Sequence, residues 1–110
     1  MGYLGEFEQL ILFALLQLGD DAYGVTIREA IEERTGKTVS AGAIYTVLGR
    51  LEERGLVRSR TEAPVEGRMG RPRKYYRLRP DGARALKESY ATIQAMAGGL
   101  IPKLNRLAEG

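Results

Sequence analysis

The stretch SAGAIYTVLGRLEERGL, from Ser40 to Leu56, constrains the fold more than any other part of the chain. Ser40 is a capping residue type, and Ile44, Val47, Leu48 and Leu51 recur at the spacing of one buried helical face. Gly55 is the residue type that ends a helix by adopting a positive φ. The opposite face presents Gly42, Tyr45, Thr46, Gly49, Arg50 and Glu53, small and hydrogen-bonding groups with one long cation. An ordinary surface helix carries several long charged side chains there, so this face is trimmed for close approach. Glycine costs roughly 1 kcal/mol against alanine in a helix interior, and less in the first turn where Gly42 falls. Either an outside body approaching Gly42 and Gly49 or close packing against another helix accounts for that cost.

A chain of 110 residues makes one domain with a modest core, small enough to gain from a partner chain. It has 0 Cys and 0 His, which removes a disulfide framework, thiolate chemistry and the commonest transition-metal ligands. No metal site and no cofactor are expected. The longest apolar run, Leu10 to Leu16, is too short to cross a bilayer, and the N-terminus is acidic where a signal peptide starts positive. The expectation is a soluble cytoplasmic protein with no membrane partner. The net charge of +3 is unevenly spread: residues 1–39 hold 3 basic and 7 acidic side chains, residues 40–80 hold 10 and 4, and residues 81–110 hold 4 and 3. A basic middle after an acidic start points to a polyanion-binding face.

Along the chain, Phe7 to Leu18 is apolar nearly all round and predicts a helix buried on more than one side. It is either the central core helix or one that also faces a second subunit. Gly19-Asp20-Asp21 ends it. A second helix over 24–34 follows, with Val25, Ile27, Ala30 and Ile31 as buried candidates and Gly36 at its end. Two helices joined by a tight glycine-containing link, the second with a low-profile face, form the helix-turn-helix pattern, whose second helix fits a major groove about 12 Å wide.

After Gly55 the period changes. Residues 56–61 and 74–79 read as two strands, and the segment between them carries Arg68, Arg71 and Arg73 with Lys74 at its base. A helix-turn-helix followed by such a hairpin is a winged helix. These basic residues suit either phosphate contact or insertion into a narrow minor groove. Gly70-Arg71-Pro72 also resembles half of an AT-hook core, with Met69 where that motif has its first arginine. Pro80-Asp81-Gly82 breaks the second strand, with Asp81 as the expected cap of a last helix. From there Ala83, Leu86, Tyr90, Ile93, Ala97, Leu100, Leu104 and Leu107 form a heptad-type seam to the end of the chain. Pro102 within it predicts a kink, or a break into two helices in register. A seam this long, with Leu10 and Phe13 of the first helix, predicts a homodimer; the alternative is packing onto the first helix of the same chain. The fold class is mainly α with a small β-hairpin: a winged helix-turn-helix over residues 1–80 and a C-terminal dimerisation helix over 81–110.

Three stretches, LGEFEQLILFALLQLGDDAYGVTI, SAGAIYTVLGRLEERGLV and RPRKYYRLRPDG, resemble in order and spacing the PadR family of bacterial transcriptional regulators. The resemblance covers nearly the whole chain and is closest to the short members with a single C-terminal helix. It implies a winged-helix dimer that binds double-stranded DNA, usually as a repressor released by a small-molecule effector. It places Tyr45 at the DNA backbone, Ser40, Ala41, Gly42, Thr46 and Arg50 on the recognition helix, and Arg68, Arg71, Arg73 and Lys74 on the wing. Tyr75 and Tyr76 match a strand motif and are structural, with one ring facing the core. Some relatives hold planar drugs between aromatic residues, notably tryptophan, at the dimer interface. This chain has 0 Trp, so Phe13, Tyr90 and Met96 either line such a pocket or fill the dimer core.

Two other function classes are weighed by the same residues. An RNA-binding or protein-interaction module shares the winged-helix shape and the arginines. An enzyme is not expected, because the chain lacks His and Cys, a phosphate-cradling glycine loop before a helix, and paired acidic metal ligands.

Overall fold

A computed structural model of the chain describes residues 3–62 and 72–110. Its elements are α1 (Glu6–Leu18), a single 3-10 turn (Gly19–Asp21), α2 (Gly24–Thr35), α3 (Ala41–Glu53), β1 (Val57–Glu62), β2 (Arg73–Leu78), α4 (Pro80–Ala97) and α5 (Ile101–Glu109). The chain is therefore mainly helical with one two-stranded antiparallel hairpin, as expected. Arg68 and Arg71, with the Gly70-Arg71-Pro72 half-motif and Met69, fall wholly or partly outside the described residues.

Local chemistry explains most boundaries. The Gly5 N–H donates to Glu8 Oε1 at 2.8 Å, which satisfies one orphan donor at the start of α1. Ser40 Oγ accepts from the Ala43 N–H at 3.1 Å and caps α3. Gly36 closes α2 with φ 72°. Gly55 closes α3 with φ 76°, and the Leu56 N–H bonds to the Leu51 carbonyl while the Gly55 N–H bonds to that of Glu52. That pair of bonds is a Schellman ending, in which a left-handed residue satisfies the last carbonyls.

The core is one cluster drawn from both strands and every α-helix but α5. Ile11, Leu12 and Leu15 of α1 meet Ile27 and Ile31 of α2, Ile44, Leu48 and Leu51 of α3, and Val57 and Tyr76 of the hairpin. The strands pair from Val57 opposite Leu78 to Glu62 opposite Arg73. The Tyr76 N–H donates to the Ala22 carbonyl at 2.8 Å, so the link between α1 and α2 is tied to the free edge of β2.

Three expectations are corrected. Val25 is 45% exposed; at 100° per residue it lies opposite the Gly24, Ile27 and Ile31 face that α2 buries. Asp81 does not cap α4: Arg79 holds the N-cap position, with no side-chain cap bond, because Pro80 fits the first helical position, whose N–H needs no partner. Asp81 pairs instead with Arg84. Leu86, counted in the dimer seam, is 3% exposed in the chain's own core, while Ala83 is exposed. The seam's first turns serve the domain itself, and its free face begins further along.

The C-terminal helix breaks rather than bends. α4 ends at Ala97, Gly99 takes φ 78°, and α5 restarts with Pro102 in its first turn. There the proline displaces no internal hydrogen bond, which removes the clash a continuous helix would suffer.

Gly82 is the tightest point of the body. A Cβ built on it would stand 2.1 Å from the Leu56 carbonyl oxygen and 2.8 Å from Leu78 Cδ1. Both the α3 exit and the start of α4 therefore depend on its missing side chain. The variant Gly82→Ala is expected to lose about 1–3 kcal/mol of folding stability despite alanine's better helix propensity. Urea unfolding followed by circular dichroism measures this; a midpoint at or above wild type would contradict the packing described.

Candidate nucleic-acid interface

The buried stripe of α3 turns its other face outward. Ala41, Gly42, Tyr45, Thr46, Gly49 and Arg50 are all exposed. A Cβ built on Gly42 or Gly49 would meet nothing within 4 Å. Of the two explanations for these glycines, packing against another helix of the chain is thereby removed among the described residues. Arg50 has no ion-pair partner among the described residues, so its guanidinium is available. Thr46 Oγ1 donates to the Gly42 carbonyl at 2.9 Å, which leaves its oxygen free to accept. Ser40 spends its hydroxyl on the cap, though its exposed position adjoins the same face.

Tyr45 does more than face outward. Its ring lies over the first residue of α2, where a Cβ on Gly24 would stand 2.2 Å from the tyrosine hydroxyl oxygen. Gly24 thus lets Tyr45 lock the two helices of the helix-turn-helix together while 45% of the residue stays exposed. Of the two acidic groups of α3, Glu53 is exposed and Glu52 is paired with the body. Glu52 accepts from Ser59 Oγ at 2.6 Å and from the Ser59 N–H at 3.3 Å. Its neighbour Arg54 pairs with Glu8 at 3.2 Å.

The hairpin base is fastened by aromatic and cationic contacts that the sequence did not disclose. Tyr76 enters the core, and burial pushes its hydroxyl above the ordinary tyrosine value, with Glu52 and then Tyr45 adding to the rise. Tyr75 projects from the other face yet is also buried. The Tyr23 ring meets it edge-on at 5.3 Å, and the Arg60 guanidinium lies 4.5 Å from its centroid. Arg73 lies 4.2 Å over Tyr23 and donates through Nη1 to the Tyr75 hydroxyl at 3.4 Å, a bond that raises its pKa further. Arg73, expected as a free wing cation, is therefore committed to pinning the wing to the α1–α2 link. Lys74, on the opposite side of the strand, is exposed.

The structure brings Ser40, Ala41, Gly42, Tyr45, Thr46 and Arg50 onto one surface and holds Lys74 on the neighbouring hairpin. Apart from that surface, on the hairpin's other face, stand Arg58, Arg60 and Arg77, which sequence reasoning did not single out. The spacing of two between Arg58 and Arg60 was the available signal, since it puts both on one face of a strand.

A second surface runs along α1, α4 and α5. Phe13 and Tyr90 touch edge-on at 5.6 Å, and both are partly exposed. Ile93, Met96, Leu100, Leu104 and Leu107 are each more than half exposed, and α5 has no buried residue. Ala97 is half-buried, and Leu10 packs partly against the core. Among the described residues no helix is long and apolar enough to cross a membrane, and no group of three or more acidic side chains could hold a metal ion.

Residues 11–88 match the model of the transcriptional regulator PadR-like family. A comparison with curated proteins returned no match. Among solved structures, a PadR family transcription regulator from Clostridium difficile is 27% identical with a TM-score of 0.73, over 91% of this chain and 99% of that one. One from Eggerthella lenta is 29% identical with a TM-score of 0.70, over 90% and 86%. The winged-helix DNA-binding protein F93 from STIV, at 21% identity, a TM-score of 0.69 and coverage of 89% and 98%, shares the fold. With its winged helix-turn-helix in place and more than half its length matched, the chain belongs to the PadR-like family of transcriptional regulators.

Proposed function

We propose that this regulator binds double-stranded DNA as a homodimer, with α3 of each chain in a major groove. The observation that carries the proposal is the open space over Gly42 and Gly49, on a helix whose other face is fully committed to the core. Ser40, Ala41, Thr46 and Arg50 face the bases or the adjoining backbone, and Tyr45 donates to a phosphate while bracing α2. Lys74 and the arginines of the segment between the strands, Arg68 and Arg71, supply phosphate or minor-groove contacts. Arg73 acts by holding that segment's base. Residues 1–80 form the DNA-binding unit, with the first two turns of α4 built into it through Gly82 and Leu86, and residues 81–110 carry dimerisation.

The protein acts as a cytoplasmic repressor at a pseudo-palindromic operator. A small-molecule effector entering beside Phe13 and Tyr90 would alter the dimer and release it. If each chain neutralises about three or four phosphates, log K against log salt slopes at about −5 to −7. Selection from a random duplex pool is expected to recover inverted half-sites about 10–10.5 base pairs apart, one helical turn. Arg50→Ala and Thr46→Ala should then each cost about 1–3 kcal/mol in discrimination between operator and random sequence. An unenriched pool would overturn the proposal.

Dimerisation is tested separately. Leu104 and Leu107 are 59% and 71% exposed, so L104D/L107D leaves the chain's own core intact. Light scattering at low micromolar concentration is expected to give a dimer for wild type and a monomer for L104D/L107D, with unchanged helical content. A wild-type monomer would contradict the assignment of this surface.

A further inference from the structure

The hairpin has an outer face as well as a tip. Val57 and Tyr76 turn into the core, so strand alternation sends Arg58, Arg60 and Arg77 the other way. Arg58 stands directly opposite Arg77 in the register. Like charges so placed destabilise a strand pair, and something must offset that cost. The Arg58 side chain has no hydrogen bond or ion pair among the described residues. Arg77 pairs with the Asp20 carboxylate, and Arg60 donates through Nη2 to the Asp20 carbonyl at 3.3 Å while stacked on Tyr75. Asp20 thus orients two guanidinium groups but offers one carboxylate against three cations. A cleft of about 350 Å³ opens between them and Gly19. Guanidinium groups held this way are pre-organised for oxyanions, because the planar fork loses less freedom on binding.

We infer that this outer face is a second phosphate-binding surface, and that its phosphates belong to duplex DNA flanking the operator. The inference rests on the DNA-binding proposal above. A row of cations along a strand, in an open cleft rather than a closed nest, suits an extended polyanion better than a single small anion. The row lies on the opposite face of the hairpin from Lys74 and from Ser59, which bonds to α3, so the phosphates that reach it belong to duplex beyond the half-site that α3 and the wing engage.

The test compares the shortest operator duplex recovered by selection with one lengthened by about ten base pairs, one helical turn, on each side. Wild type, R58A/R77A and R58K/R77K are titrated across a salt series. Wild type is expected to bind the longer duplex roughly tenfold more tightly, with a salt slope steeper by about two for each chain engaged. R58A/R77A should keep wild-type affinity for the short duplex and lose both gains, while R58K/R77K recovers most of them. Removing the Arg58–Arg77 repulsion should leave urea stability at or above wild type, which controls for folding. An equal length gain in R58A/R77A overturns the inference, as does equal weakening on both duplexes. Saturable binding of inorganic pyrophosphate that R58A/R77A abolishes, without any length gain in wild type, assigns the cleft to a free anion and also overturns it. Failure of wild type to prefer the short operator over random duplex removes the DNA-binding proposal itself, a result the short duplex reports alone.

Discussion

Ile44, Val47, Leu48 and Leu51 fasten α3 to the body by one face, and the remaining architecture follows from that one-sided attachment. Burying an aliphatic side chain of this size contributes about 1.5–3 kcal/mol, so the stripe outweighs the roughly 1 kcal/mol that a glycine such as Gly49 costs in a helix. The helix can therefore keep its outer face small without coming loose. Apart from Tyr45, which braces α2, no described residue approaches the glycines of that face. Ser40 at one end and Gly55 at the other fix the helix's length, and Tyr45 over Gly24 fixes its angle to α2.

The hairpin is held by a different kind of chemistry. One of its tyrosines, Tyr76, is an ordinary core residue. The other, Tyr75, has no apolar core to enter and is covered by Tyr23, Arg60 and Arg73. This stack, with the Tyr76 N–H bonded to Ala22, ties the wing base to the link that precedes α2. Wing and recognition helix are thus positioned from the same short segment, residues 20–24. A change there would alter both at once, which gives Asp20 and Tyr23 more influence than their exposed or half-buried positions suggest.

Much of this was legible in the residues. Helical periodicity, the serine cap and the glycine stop located α3 within a few residues, and the change of period after Gly55 located the hairpin. What escaped were consequences of three-dimensional neighbours. Leu86 fits the heptad seam by spacing, yet the close approach that Gly82 permits rotates it into the core. Arg73 has the composition of a free cation, but only the fold brings Tyr23 beneath it. Asp81 has cap chemistry, and Pro80 pre-empts it by starting the helix two residues earlier than that cap would. The arginines opposite each other on the outer strand face depend on register, which the long intervening segment concealed.

The central claim is that the space over α3 is kept empty for DNA, and Gly49→Ala tests it in one protein by two measurements. Alanine has room there and suits a helix, so urea unfolding should show stability raised by about 0.5–1 kcal/mol. The added methyl group would occupy the approach to the groove, so affinity for the selected operator should fall by roughly tenfold, within the 1–3 kcal/mol range of a spoiled base contact. A more stable protein that binds less well is the expected result. A more stable protein with unchanged operator affinity would contradict the claim.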